Sequence, residues 1–247
     1  MCWGIVFDIL TGSSVQWLRN SPETKYISRS WLTRQNAAIM SRQQSLTSTL
    51  GTPTWEVAHL FPNQGRWTET EFFELHSNRM VELADGYLEI LPMPTWLHQL
   101  MVDYLADLLK QSLRGKTVGR VLQAPLPIRL FTDTIREPDV MYFAPGSEPA
   151  DLRSYPTKVD LAMEVVSEGT EARRRDYEDK RKDYARAGVS EYWIVDPDDR
   201  KIIVLVLQNG TYQTHGEFAI GDTASGLLIP ALKIDVAEIM KLGDTAL

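Results

Sequence analysis

The chain has 247 residues, 43% of them hydrophobic, a single cysteine and a formal net charge of -7. One cysteine, Cys2, excludes an internal disulfide or a zinc site built from cysteines and agrees with a reducing compartment. The acidity argues against a surface that binds polyanions everywhere, although a local basic patch would still steer one. No apolar run approaches the roughly 20 residues that span a bilayer, and IVFDIL lacks the preceding basic residues of a secretory signal, so a cytoplasmic protein with no membrane partner is expected.

Residues 1–60 carry no sustained period of 3.6 or 2, and SRQQSLTSTLGTPT within them has the composition of a linker. A weakly ordered N-terminal extension over 1–60 and a single domain over 61–247 are therefore expected. Met40 stands just before the polar stretch, which suggests that residues 1–39 belong to an over-extended reading frame. A native peptide from that stretch, found by mass spectrometry, would exclude the idea.

In RWTETEFFEL, Thr68 and Glu71 have capping-box spacing ahead of Phe72, Phe73 and Leu75, predicting a short helix. MVELADGYLEIL reads as a hairpin turned by Asp85-Gly86. Leu97, Leu100, Met101, Tyr104, Leu105, Leu108 and Leu109 recur at three and four residues, which predicts a helix over about 96–114, ended by Gly115 and lying flat on a sheet. VGRVLQAP, LPIRLF and PDVMYFAP follow as strand-like runs, and LAMEVVSEGT (161–170) as a buried strand. EARRRDYEDKRKDYARA (171–187) is a charged helix stopped by Gly188, and EYWIVD is a strand; that order places the two strands parallel in one sheet. KIIVLVLQNGTYQ forms a hairpin on Asn209-Gly210, and SGLLIPALKIDVAEIM adds a last strand and a short helix.

Glu164 is anomalous among Leu161, Ala162, Met163, Val165 and Val166. A buried ionised carboxylate costs several kcal/mol, so it needs a cation, water access or a raised pKa. Asp139 opens the apolar run Val140, Met141, Tyr142, Phe143. Lys180 lies three residues after Tyr177 and four before Tyr184, so it is predicted to share their face and point inward. Two strand carboxylates suit a hard divalent cation such as magnesium, and an inward lysine would stabilise charge developing on a phosphate. That set suits phosphodiester hydrolysis; a structural Asp-Glu-Lys network without metal is the plainer alternative.

Pro138-Asp139 followed by a strand carrying Glu164 resembles the PD-(D/E)xK nuclease superfamily. The wider pattern resembles the Uma-type restriction endonucleases of bacteria, from about Arg66 to Met240. It comprises RWTETEF, VELADGYLEILPMP, PDVMYF, LAMEVVSEGT, KRKDYARAGVSEYWIVDPDDR and SGLLIPALKID. The chain departs from the superfamily at Val166, where the E-x-K lysine would stand. The resemblance implies that Lys180 substitutes for it. It also implies an α/β (α+β mixed-sheet) restriction-endonuclease-like core with flanking helices and additional hairpins. Asp139 and Glu164 would hold Mg2+, with Mn2+ as a substitute, and DNA would be cut to a 5′-phosphate and a 3′-hydroxyl. A homodimer is expected if both strands are cut.

Four residues are accessory candidates, each with a structural alternative. Glu82 would line the site or stand exposed on its strand. His98 would bind phosphate, move a proton or simply be hydrogen-bonded. Ser167 would contact phosphate or turn the chain, and Tyr184 would buttress the site or pack in the core. Arg173, Arg174 and Arg175 would contact a nucleic-acid backbone or form a solvated helix face. Gly115-Lys116-Thr117 fails as a phosphate-binding loop because position 110 is lysine and a helix precedes it. Asp196-Pro197-Asp198-Asp199 fails as a calcium loop and reads as a turn. Asn209-Gly210-Thr211 reads as a hairpin turn rather than a glycosylation acceptor. The functional alternative is a catalytically degenerate nuclease fold that binds nucleic acid or protein; an assembly role for the hairpin near 201–213 is a third reading.

Overall fold

The computed structural model describes residues 61–75, 80–115 and 119–244, together with two short backbone strands, β1 (Val6–Phe7) and β2 (Ser14–Val15), which pair antiparallel. Contacts divide the chain into Met1–Phe61 and Pro62–Leu247. The expectations about the polar stretch, the reading frame and Lys116-Thr117 lie outside the described residues.

Within Pro62–Leu247 the elements begin with a helix α1 (Glu69–Glu74). It starts as its sequence dictates: the Thr68 side chain accepts from the Glu71 N–H, and Glu71 reaches back to the Thr68 N–H at 3.0 Å. The hairpin β3 (Val81–Ala84) and β4 (Tyr87–Ile90) turns through Asp85 and Gly86, both at positive φ (47° and 77°). A side chain at Gly86 would also meet the backbone of Gly65 at 2.9 Å. Helix α2 (Trp96–Ser112) is capped by Thr95, and strands β5 (Arg120–Gln123), β6 (Ile128–Phe131), β7 (Thr134–Arg136) and β8 (Val140–Phe143) follow. Strand β7 carries no apolar run long enough to announce itself.

Strand β9 (Leu161–Val165) leads into α3 (Thr170–Arg174), a π-helical turn (Arg175–Asp179) and α4 (Lys180–Arg186). The remaining elements are β10 (Glu191–Asp196), β11 (Lys201–Gln208), β12 (Thr211–Ala219), β13 (Thr223–Ala224), β14 (Ile234–Asp235) and α5 (Val236–Asp244).

Six strands form one mixed sheet in the order β12-β11-β10-β9-β8-β5. Its parallel pair is β9 with β10, as the intervening helix requires. A second sheet, β4-β3-β7-β6, is antiparallel. Alternation along the buried strands separates two cores. Leu161, Met163 and Val165 of β9, with Trp193 and Val195 of β10, pack against Met101, Leu105 and Leu109 of α2 and against α5. Ala162 and Val166, with Tyr192 and Ile194, face Tyr184 and the opposite layer. Glu164 falls between Ala162 and Val166 and therefore turns towards α4. Among the described residues no helix is long and apolar enough to cross a membrane.

Candidate active site

The ladder between β8 and β9 pairs Val140 with Met163. One further step along antiparallel strands brings Asp139 alongside Glu164, on the face occupied by Met141 and Ala162. Asp139 is fixed there by accepting from the Val165 N–H at 2.8 Å and by lying 3.3 Å from His98 Nε2. The same Nε2 lies 3.1 Å from the Val165 carbonyl oxygen. Cross-strand geometry thus joins two acids 25 residues apart in sequence.

Lys180 meets Glu164 from the helix. Its ammonium is 2.9 Å from Glu164 Oε2, 3.2 Å from Glu82 Oε1 and 3.8 Å from Asp176 Oδ1, and the lysine is 2% exposed. The other Glu164 oxygen accepts from the Tyr184 hydroxyl at 2.6 Å. Lys180 points inward as the sequence predicts, but its helical neighbours differ from the expected ones. The Lys180 N–H reaches the carbonyl of Arg175, a five-residue step that adds a residue to the turn. In consequence Asp176, Lys180 and Tyr184 share the buried face. Tyr177 is turned aside, bonding to Asp196 at 2.6 Å with the Arg173 guanidinium over its ring.

Glu82 is wholly buried, which removes the exposed-strand alternative. Besides Lys180, it accepts from the Glu137 N–H at 2.8 Å and from Arg136 Nη1 at 2.9 Å. Arg136 is itself buried, and it also binds Asp183 at 2.7 and 2.9 Å and reaches Glu89. The order of support therefore runs from Arg136 through Glu82 to Lys180.

Negative groups prevail in this pocket. Burial raises the Glu164 carboxyl most; Lys180 draws it down, but Asp139, Asp176 and Glu82 oppose that, leaving it at about 8 against an ordinary 4.5. Burial would raise Glu82 too, yet Lys180, Arg136 and the Glu137 N–H outweigh it and hold Glu82 at about 2. Glu137 is pushed up to about 7 by burial and by Glu82. Burial disfavours the charged form of Lys180, but Glu164, Glu82 and Asp176 more than compensate, so its pKa is raised and the ammonium persists at neutral pH.

A metal bound here would find oxygen donors of the right class: the Asp139 and Glu164 carboxylates and the Val165 carbonyl, with Asp139 Oδ2 and the Val165 oxygen both close to His98 Nε2. The residues fit a hard divalent cation on that ground. Among the described residues no group of three or more His, Cys, Asp or Glu side chains is arranged to hold an ion. Lys180 and Tyr184 already occupy both Glu164 oxygens, so that carboxylate would have to exchange a partner for the ion.

Ser167 lines a cavity of about 460 Å³ with His98, Val165, Met240 and Arg200. The three arginines of the candidate phosphate-binding run have internal partners. Arg173 binds Asp196 and Asp199 (2.7 and 2.8 Å), Arg174 binds Asp179 (2.5 Å) and Arg175 lies 3.2 Å from Asp176. Arg174 alone stands on a solvated helix face; the Arg175 side chain is only 13% exposed.

Sequence reasoning missed Asp176 and Arg136. A readable signal existed for Asp176, which stands four residues before Lys180, yet it sits in a run of charges that ordinarily faces water. Arg136 lay in a strand too short for its period to be seen.

A family model described as "Uma2: Putative restriction endonuclease" matches residues 67–237. A crystal structure titled as that of a "putative nuclease", from Anabaena variabilis, is similar in fold. It has a TM-score of 0.59 at 15% identity, covering 73% of this chain and 99% of the other. No curated protein matches the chain.

Proposed function

The chain belongs to the Uma2 restriction-endonuclease family, and from that premise we propose that it is a magnesium-dependent DNA endonuclease that hydrolyses phosphodiester bonds at Asp139, Glu164 and Lys180. The observation that carries this reading is the Lys180 ammonium 2.9 Å from Glu164, which supplies from a helix the cation absent at Val166. Asp139 and Glu164 would hold the metal, with Mn2+ as an alternative ion. Such an ion supplies activation of water and neutralisation of charge on the phosphate.

Lys180, kept protonated by three carboxylates, serves as a fixed positive charge for the transition state rather than as a base. Glu82 positions that ammonium, and Arg136 positions Glu82. Tyr184 orients Glu164 through its hydroxyl.

The test is incubation of purified protein with duplex DNA, single-stranded DNA and RNA, with and without Mg2+. Cation-dependent DNA cleavage that Asp139→Ala, Glu164→Ala and Lys180→Met each reduce by about 100-fold or more is the expected outcome. Equal cutting by wild type and the two acid variants would mean contamination and defeat the assignment.

A second reading, a binding module on the same fold, is favoured by one observation: Lys180 and Tyr184 engage both oxygens of Glu164. Titration calorimetry with Mg2+ separates the two. Heat no greater than that of an Asp139→Ala, Glu164→Ala double variant supports the binding module.

A further inference from the structure

The cavity beside the candidate site has a neighbour. Met93 lines both the cavity that holds His98 and Val165 and a second one, of about 540 Å³, walled by Phe73, Pro125, Glu137 and Tyr155. Glu137 ties the second cavity to the chemistry. It stands two residues before Asp139, and its N–H donates at 2.8 Å to Glu82 Oε1, the oxygen that lies 3.2 Å from the Lys180 ammonium.

The aromatic wall of this cavity is built in advance. Phe73 and Tyr155 stack with ring centroids 4.2 Å apart and planes 6° from parallel, and Phe72 meets Phe73 edge-on at 5.3 Å. Arg129 fastens both members of the stack. Its backbone N–H donates at 2.9 Å to the carbonyl of Pro156, next to Tyr155, while its guanidinium donates to Glu69 at the start of α1, the helix that carries Phe73. Tyr155 nevertheless stays 42% exposed, so the stack ends in a ring that a further planar group can cover. Glu137 adds a polar group to the same cavity, and its carboxyl has no hydrogen-bond or ion-pair partner among the described residues.

A nucleobase satisfies both features. Its face stacks on an aromatic ring, and the Watson–Crick edge of every DNA base carries an N–H for a carboxyl oxygen. A duplex hides both and presents chiefly phosphates. Phosphates find little purchase here, because the chain is net -7 and Arg173, Arg174 and Arg175 already hold acids. Affinity must then come from the bases.

We propose that the cavity lined by Tyr155 and Glu137 binds an unpaired base of DNA next to the phosphate to be cut, so that single-stranded or locally opened DNA is preferred to intact duplex. This rests on the nuclease reading above and extends it by naming the form of the substrate. A duplex must first give up the pairing and stacking of that base, a cost that a single strand does not carry.

The test measures binding apart from cleavage. Full-length Asp139→Asn keeps an acceptor for the Val165 N–H and removes one proposed metal carboxylate. Fluorescence anisotropy with this protein in Mg2+ compares labelled oligo-dT with a duplex of the same length, and the single strand should bind more tightly. Adding Tyr155→Ala should weaken single-strand binding by about 5- to 150-fold, the loss of one base–aromatic stack. Tyr155→Phe, which keeps the ring, and Leu152→Ala, an exposed neighbour outside the cavity, should stay within about twofold of the parent. Photo-crosslinking of the parent to oligo-dT carrying iodinated uracil should join the strand to Tyr155 or Phe73. It needs no Tyr155 variant, so it decides even if Tyr155→Ala does not fold.

Equal binding of duplex and single strand, an unchanged Tyr155→Ala, or crosslinks confined to other segments overturns the proposal. So does a Tyr155→Ala that turns a dimer into a monomer in light scattering, since a second copy would then cover the cavity. Wild-type cleavage that needs Asp139 and Glu164 but ignores strand state refutes the proposal and leaves the nuclease reading intact. Tyr155-dependent single-strand binding without any cleavage does the reverse, supporting the base site and defeating the nuclease reading.

Discussion

Arg136→Met is the sharpest perturbation of the scaffold behind the candidate site. The methionine keeps most of the length and removes the guanidinium, whose four hydrogen bonds reach Glu82, Glu89 and twice Asp183. Glu82 would keep Lys180 and the Glu137 N–H, whereas Asp183 would lose its buried cation. Breaking a buried ion pair by removing one partner costs about 3–5 kcal/mol because the other charge stays uncompensated. A domain is stable by only about 5–15 kcal/mol, so the loss is a large part of the total.

With a urea slope of about 1–3 kcal/mol/M, the unfolding midpoint followed by far-UV circular dichroism should fall by roughly 1–5 M at pH 8. Asp183→Asn added to Arg136→Met should recover part of the loss, since it removes the orphaned charge. The pH dependence has a defined sign. Glu82 is held at about 2 against its ordinary 4.5, so its contribution is complete above pH 4.5 and disappears as pH falls towards 2. The gap between wild type and variant should therefore narrow across that window. A loss below about 1 kcal/mol at pH 8, a size typical of exposed pairs, would refute the view that Arg136 is the buried anchor of Glu82.

Three further outcomes follow from named contacts. Tyr184→Phe removes the donor to Glu164; a loss of about 1 kcal/mol is expected, lowering the melting temperature by roughly 2–4 °C, with a larger fall in cleavage rate that a purely packing role would not produce. Gly226→Ala would bring a Cβ within 2.0 Å of Glu191 Oε1, whose carboxylate accepts from Trp193 Nε1 and from the Leu227 and Leu228 N–H groups. Calorimetric melting should show about 1–3 kcal/mol of destabilisation. For Asp160, hydrogen bonds from Ser147, the Ala144 N–H and Lys158 overcome burial and hold its pKa below the ordinary 3.8. Its stabilisation is present above pH 3.8 and lost on further acidification, so wild type and Asp160→Asn should differ at pH 6 and converge in acid unfolding curves.

Much of the fold could be read locally because its signals are local. The Thr68-Glu71 cap, the turns at Asp85-Gly86 and Asn209-Gly210, and the three-and-four spacing of α2 depend on residues within a turn or two of each other. The strand–helix–strand order sufficed to make β9 and β10 parallel. Family resemblance marked the acids and the lysine before any contact was known, and the geometry brings Lys180 to Glu164.

The sequence by itself determined that a carboxylate would be buried in the middle of β9 and that a lysine would turn inward from the following helix, because periodicity decides which way a side chain points. Only the tertiary structure decided what meets them. The π-helical turn at Arg175–Asp179 rotates Asp176 into the cluster and Tyr177 out of it, a one-residue change of register that a fixed 3.6 period cannot express. The second sheet brings Glu82 and Arg136 beneath Lys180 from positions 98 and 44 residues away in the chain, where no local pattern relates them. The ionisation of the site belongs to that assembly as well: burial and neighbouring charges separate Glu82 at about 2 from Glu164 at about 8, although both are glutamates in short strands.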